Sequence, residues 1–252
     1  MSRKPIILFD SRFLEGTPTA TDTATGFSVL NIRDYRTYTF WRAASAGTKY
    51  ITVDCATAKT ADCLAVISHN LNTAAALVSV ESSPDNSVWT NRLAEFTPTS
   101  NRAFMRLVTS VSARYWRIKI VTASVAPQLA VAMLGTRFEF ARYLQAGFDP
   151  APERINARST KSKAGHLLGT TVDYYELEIS AMWENLTASW VASSFMPVWS
   201  NIKTCRPFFW AWNIDNYPSD IYYVRIPDDH HLTMPFDPVR RSLRLNMVGV
   251  AE

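Results

Sequence analysis

Long apolar runs are missing from this 252-residue chain. None approaches the roughly 18 residues that a membrane-spanning helix requires, so a helical span is excluded. Cysteine is scarce as well. Cys55, Cys63 and Cys205 form an odd set with no C-x-x-C pair, which leaves a zinc site without support. Free, buried thiols in a chain made in a reducing cytosol are the expectation. Blocks of like charge are also absent. The net charge is +4, but the basic residues are dispersed. The densest group, Arg154, Arg158, Lys161 and Lys163, lies in a polar segment that reads as solvated rather than as a phosphate-binding arm. Charged residues make up 19% and hydrophobic residues 47%, which excludes a disordered chain. The start, Met1–Asp10, has basic residues but only four apolar ones after Pro5. A secretory apolar core needs about 7–15, so no secretory leader is expected.

What is present is β patterning. Between Lys49 and Val121 come the runs Tyr50–Asp54, Cys63–Ile67, Ala76–Glu81 and Arg114–Ile120. The turns His69–Leu71 and Ser82–Asn86 separate them, and Trp89 follows the second. Short strands with turn chemistry at this spacing predict an all-β sandwich. Trp89 and Trp116 are expected in its core. Arg36–Arg42 alternates at a strand's period, and Leu129–Gly135 with Arg137–Phe140 should complete the sheets.

The same residues carry a family resemblance. Trp41, ITVD at 51–54, SHNL at 68–71, VESSPDNSVW at 80–89 and RYWRIKI at 114–120 resemble the discoidin (galactose-binding-like) jelly roll. The version they are most similar to occurs in distal-tail-like structural proteins of the tail tip or baseplate of tailed bacteriophages. The chain departs from the pattern at Asp54-Cys55-Ala56, where the family has Asp-Leu-Gly. The resemblance covers about residues 20–140. The run Arg206–Trp212 with Ile221–Val224 is similar to the second half of such tail proteins.

The expected fold class is therefore mostly β: an N-terminal discoidin-like jelly-roll β-sandwich, then a smaller β-rich domain with about one helix. Residues 1–25, rich in Thr and Ala before Gly26, are expected as an extended arm, and 26–145 as the jelly roll. Residues 146–165, with Pro150, Pro152 and several charges, are expected as a linker or long loop. Residues 166–252 should form an assembly domain. Its elements are strands at Tyr174–Ser180, Phe208–Trp212, Ile221–Ile226 and Ser242–Val248, and a helix over Asn185–Met196 capped by Asn185 or Thr187.

Polar constellations are weak. Asp228-Asp229-His230-His231 sets four ligand types side by side, but neighbouring strand residues point to opposite faces, so a solvated loop is expected. His69 reads as a hydrogen bonder at a sheet corner, and Ser68 lacks the Gly-flanked elbow of a nucleophile. Asp10, Asp22, Asp34 and Asp54 should accept turn hydrogen bonds. Trp199, Phe208, Phe209, Trp210 and Trp212 fit core packing better than sugar stacking. No catalytic, metal, cofactor or ligand residue is assigned, no cofactor is expected, and the chain is not expected to be an enzyme.

The resemblance implies a structural subunit of a virion tail, assembled in the host cytoplasm through contacts with copies of itself in a symmetric ring and with other tail proteins. Nucleic acid is not an expected partner. A carbohydrate-binding module for host-surface attachment is the alternative; an exposed aromatic pair beside Asp, Asn or Arg at one sheet end would favour it. A glycan-degrading enzyme or its accessory domain is the weakest reading, because no carboxylate pair stands out.

Overall fold

A computed structural model describes residues 4–150, 153–229, 232 and 240–250. Its strands, in order, are β1 (Ile6–Leu8), β2 (Thr19–Ala20), β3 (Trp41–Arg42), β4 (Gly47–His69), β5 (Leu77–Ser83), β6 (Thr90–Phe96) and β7 (Phe104–Thr122). There follow β8 (Gln128–Gly135), β9 (Phe138–Glu139), β10 (Glu153–Lys161), β11 (Leu167–Thr187), β12 (Phe208–Ala211), β13 (Ile221–Arg225) and β14 (Arg240–Val250). The fold is mostly β, as the patterning predicts. The chain divides into two compact units: Met1–Glu139 with Phe209–Ile221, and Phe140–Phe208 with Tyr222–Glu252.

The first unit is built on a sheet of order β3-β8-β4-β7-β5-β6, with β2 added alongside β4. β4 and β7 are long, and their mutual register shifts between Asp54 and Lys59 and again between Ala61 and Cys63. Such irregularities bend strands and turn the corners of sandwiches. Apolar side chains of β3, β4, β5, β7 and β8 close over one core that includes Trp41, Ile51, Val53, Leu64, Val80, Trp116, Ile118 and Leu134. Ile51, Val53 and Cys55 turn inward at alternate positions, as the sequence pattern demands. The missing glycine is replaced without loss of the turn: Ala56 sits at φ 59°, and its N–H donates to Asp54 Oδ1 at 2.8 Å. That side-chain bond offsets the strain of a left-handed alanine.

Three expectations for this unit change. The 1–25 segment is not a free arm. β1 is fully buried and pairs with β12 and β9, and β2 pairs with β4. Its Ile6-Ile7-Leu8 run has too much apolar surface to stay in water. Arg36–Arg42 contributes only the two residues of β3, because Asp34 ties the preceding turn by accepting from Arg36 N and Thr39 Oγ1. Trp89 is half-buried rather than in the core. Its ring lies 3.9 Å from the Arg117 guanidinium, which also sits 4.1 Å over Tyr50 and pairs with Glu81 at 2.5 Å. A cation between two aromatic faces holds the indole at the surface.

Close backbone approach makes one glycine indispensable. A Cβ on Gly135, at the end of β8, would lie 2.0 Å from the Asp10 carbonyl oxygen and 2.7 Å from its carbon. Gly135→Ala must push backbone apart, and a loss of about 1–3 kcal/mol in denaturant unfolding is expected.

In the second unit the strand order is β10-β11-β14-β13. Leu177, Ile179, Ala181 and Trp183 of β11 face inward with Leu243, Leu245 and Met247 of β14. Phe140 stacks on Trp183 at 4.0 Å between centroids. The linker expected at 146–165 is instead half of a long hairpin, since β10 pairs with β11 from Glu153–Leu177 to Lys161–Leu167. The Tyr222 hydroxyl donates to the Pro150 carbonyl near its base. The charges that suggested a solvated linker pair across it: Arg154 with Glu178 at 2.8 Å, and Arg158 with Asp173 through two bonds of 2.8 and 2.7 Å.

The helix begins later and ends later than the spacing predicts. Thr187 caps it by accepting from Trp190 N at 3.2 Å, and helical turns run through Ala188–Trp190, Val191–Phe195 and Met196–Ile202. The middle turn is π-helical, directly before Pro197. A proline lacks the N–H that an unbroken α-helix would need there, and the wide turn accommodates it. Val191, Phe195, Val198 and Ile202 form the buried face of the helix.

Candidate functional site

One end of the first unit's sandwich is a cluster of loops tied to one another. His69 ends β4, and its ring is 6% exposed as a residue. Nε2 donates to the Arg102 carbonyl at 3.0 Å, and Nδ1 accepts from Leu71 N at 3.2 Å. This pair of bonds fits the neutral ring, and burial lowers the His69 pKa to about 4. The expected role of sheet-corner hydrogen bonder is what the geometry gives. Asn101 Oδ1 accepts from Asn72 N and Thr73 N at 3.1 and 3.3 Å, while its amide donates to Thr73 Oγ1 at 2.7 Å. Asn72 Nδ2 donates to the Pro98 carbonyl at 2.8 Å. Asn70 bridges the next loop, donating to Ala126 O and accepting from Gln128 N. The 97–103 loop is thus fixed before any ligand arrives.

That loop walls a shallow depression open to solvent, which Thr99, Ser100, Arg102, Phe104, Arg106 and Ser219 help to line. The Arg106 guanidinium lies 4.9 Å over the Phe96 ring and donates to the Met105 carbonyl at 3.2 Å. Half-buried, it has no carboxylate partner among the described residues, and burial pulls its pKa down. The lining holds two guanidinium groups, three hydroxyls and an aromatic edge, and no carboxylate. Such a surface suits a polyol or an anion.

The turn that supplies Pro218 and Ser219 to the lining also carries an aromatic pair. Tyr217, next to the lining residues Pro218 and Ser219, is 49% exposed and stacks on Trp212 at 4.4 Å and 26°. Trp212 Nε1 donates to Asp220 Oδ2 at 3.0 Å. Trp212 is only half-buried, whereas Phe208, Phe209 and Trp210 are fully buried as expected. Arg102, Arg106 and Tyr217 were beyond reach of motif reading. The turn Asp215–Pro218 is visible in the sequence, but its meeting with residues 97–106 is a product of the fold.

The other sequence candidates sit apart and are occupied. Asp22 accepts from Lys49 Nζ at 2.6 Å and from Ser45, bonds that hold its pKa near about 2. Asp54 is bound by both arms of Arg114 at 2.8 Å and is likewise lowered to about 2. Asp10 pairs with Arg12. Asp228 is exposed and accepts from Arg225 at 2.9 Å, while His230 and His231 lie outside the described residues. Among the described residues no group of three or more His, Cys, Asp or Glu converges on a metal-sized site. Cys55 and Cys63 are free and buried, as expected, and both lie on β4. Burial pushes the Cys55 thiol up to about 11 and the Cys63 thiol higher still.

No protein-family model and no curated protein sequence matches this chain. Solved structures do resemble it over about half its length. A chitosan-binding module from a Paenibacillus sp. IK-5 chitosanase/glucanase is 18% identical with a TM-score of 0.43, covering 49% of this chain and 97% of the module. The CBM32 of AlyQ, solved with 4,5-unsaturated mannuronic acid, is 22% identical with a TM-score of 0.41, covering 47% and 92%. CpGH89CBM32-5 from Clostridium perfringens, solved with GalNAc-beta-1,3-galactose, is 14% identical with a TM-score of 0.43, covering 51% and 99%.

Proposed function

We propose that this chain is a non-catalytic recognition protein that holds a glycan at the loop end of its β-sandwich unit. The observation that carries this reading is the depression lined by Arg102 and Arg106 together with Pro218 and Ser219, the residues that directly follow Tyr217 of the Trp212–Tyr217 stack in the chain. An exposed aromatic face takes the apolar side of a sugar ring, and a fork of guanidinium donors takes its hydroxyls or a uronate. A lining without carboxylates offers no acid–nucleophile pair for glycoside cleavage, so the action is binding rather than turnover. Titration calorimetry of the full chain against neutral galactose-containing and uronate-containing oligosaccharides tests it. Binding should weaken about tenfold in Tyr217→Ala and in Arg106→Ala. Absence of binding to either class, or binding that ignores both substitutions, removes the proposal.

A second reading, a structural subunit of a phage tail tip or baseplate, is favoured by a separate observation: the β10–β11 hairpin carries Ile155, Tyr175 and Leu167 exposed. Apolar side chains displayed on a long hairpin suit a chain that works within an assembly. Complementation of a phage lacking the gene, with tails counted by electron microscopy, tests this reading. Normal tails formed without the protein would leave only the attachment role.

A further inference from the structure

The two faces of the β10–β11 hairpin differ in a way that identifies what covers one of them. Cross-strand partners share a face. One face carries Arg154 and Arg158, whose charges are closed by Glu178 and Asp173, and Asn156, which donates to Glu176 at 2.8 Å. The charges of that face are closed within it, and Tyr174, opposite Asn156, is the exposed aromatic on it. The other is the outward continuation of the face that buries Leu177, Ile179 and Trp183. Past Leu177 it presents the cross-strand pairs Ile155–Tyr175 and Ala157–Val172, with Ile155 58%, Tyr175 53% and Val172 45% exposed.

The charges on this apolar face are also unspent. Along β10 it reads Glu153, Ile155, Ala157, Ser159, Lys161. Glu153 and Lys161 are exposed, and neither has a partner among the described residues. They stand four residues to either side of Ala157, about 27 Å apart at a strand's rise. The pattern acid, apolar centre, base is its own complement when reversed.

We infer that this face pairs with the same face of a second copy of the chain, strands antiparallel, about a two-fold axis at Ala157. Rotation about an axis across the strands lays β10 on β10 of the other copy at the usual sheet-packing distance of about 10 Å. Glu153 of each copy then meets Lys161 of the other, twice over, and Ile155, Val172 and Tyr175 are buried between the hairpins. The contact is isologous and closed, so it yields a dimer rather than a fibre. The inference deepens the assembly reading and rests on it; the glycan proposal is unaffected by its outcome.

Sedimentation velocity on the full chain tests it, with circular dichroism confirming that each variant is folded. The wild-type chain should show a concentration-dependent dimer below about 100 µM, and Tyr175→Asp should abolish it. Glu153→Lys and Lys161→Glu should each raise the dimer Kd about tenfold, because each puts like charges together at two places. The double reversal should restore the wild-type Kd, since it re-forms both pairs with signs exchanged. A wild-type chain that stays monomeric, or a double reversal as weak as the single ones, overturns the pairing. Should tails still require the hairpin in that case, the assembly reading survives with a different partner.

Discussion

Replacing Trp116 by alanine should cost the β-sandwich unit about 3–5 kcal/mol, the largest single-residue loss expected in the molecule. The indole is 0% exposed on β7, between Val53 of β4 and Ser82 of β5. Its Nε1 donates to the carbonyls of Lys59 and Ala113 at 3.2 and 3.1 Å. The Lys59 carbonyl belongs to the stretch where β4 and β7 lose register, so the same side chain fills the core and pins the corner. Truncation therefore opens a cavity and unties the bend together. Trp89→Ala should cost only about 1 kcal/mol, because it removes a half-exposed stack on Arg117. Guanidinium unfolding of the two variants checks both values. Equal losses would mean that burial does not separate these tryptophans.

The contrast between the two tryptophans shows what a sequence pattern carries and what it does not. Trp116 lies inside an alternating run, and strand period decides its face. Trp89 stands beyond a polar turn, where no period applies, and Arg117 together with Tyr50 decides its place. Those residues are far apart in sequence. The hairpin at β10 was hidden for a related reason. Its residues read as charged and unpatterned because the side chains that satisfy them, on β11, come 15 to 24 residues later. Ile6–Leu8 was masked by brevity, since three apolar residues predict nothing until β12 and β9 are known to flank them. The helix starts late because β11 runs on to Thr187, and its π-turn moves the buried set to Val191, Phe195, Val198 and Ile202.

The candidate site was legible only in its supports. SHNL at 68–71 announces a corner, and the corner is what fixes the 97–103 loop. Arg102, Arg106 and Tyr217 acquire meaning from proximity, and no spacing in the chain encodes that. Trp212 ends an apolar run whose pattern predicts core packing. It is instead half-buried, with Tyr217 stacked on one face.

Acid should loosen the β-sandwich unit through His69. Its folded pKa is lowered to about 4 from an ordinary 6.5, with burial as the cause. Above pH 6.5 the ring is neutral in both folded and unfolded chains, and its contribution to stability is fully present. Between pH 6.5 and about 4 the unfolded chain binds a proton that the folded chain refuses, so stability is lost as pH falls. Below about 4 both states carry the proton, and the loss levels off at no more than roughly 3 kcal/mol. Asp22 and Asp54, held near about 2 by Lys49 and Arg114, stay ionised in the folded state through this window. His69→Gln retains an amide donor toward the Arg102 carbonyl and removes the titration. The wild-type chain should therefore lose up to about 3 kcal/mol more than the variant between pH 6.5 and 4, measured by guanidinium unfolding at each pH. Parallel curves would show that the ring titrates alike in both states. Protonation of the folded ring puts an N–H on Nδ1 against the Leu71 N–H and so ends that bond, while Nε2 still donates to the Arg102 carbonyl.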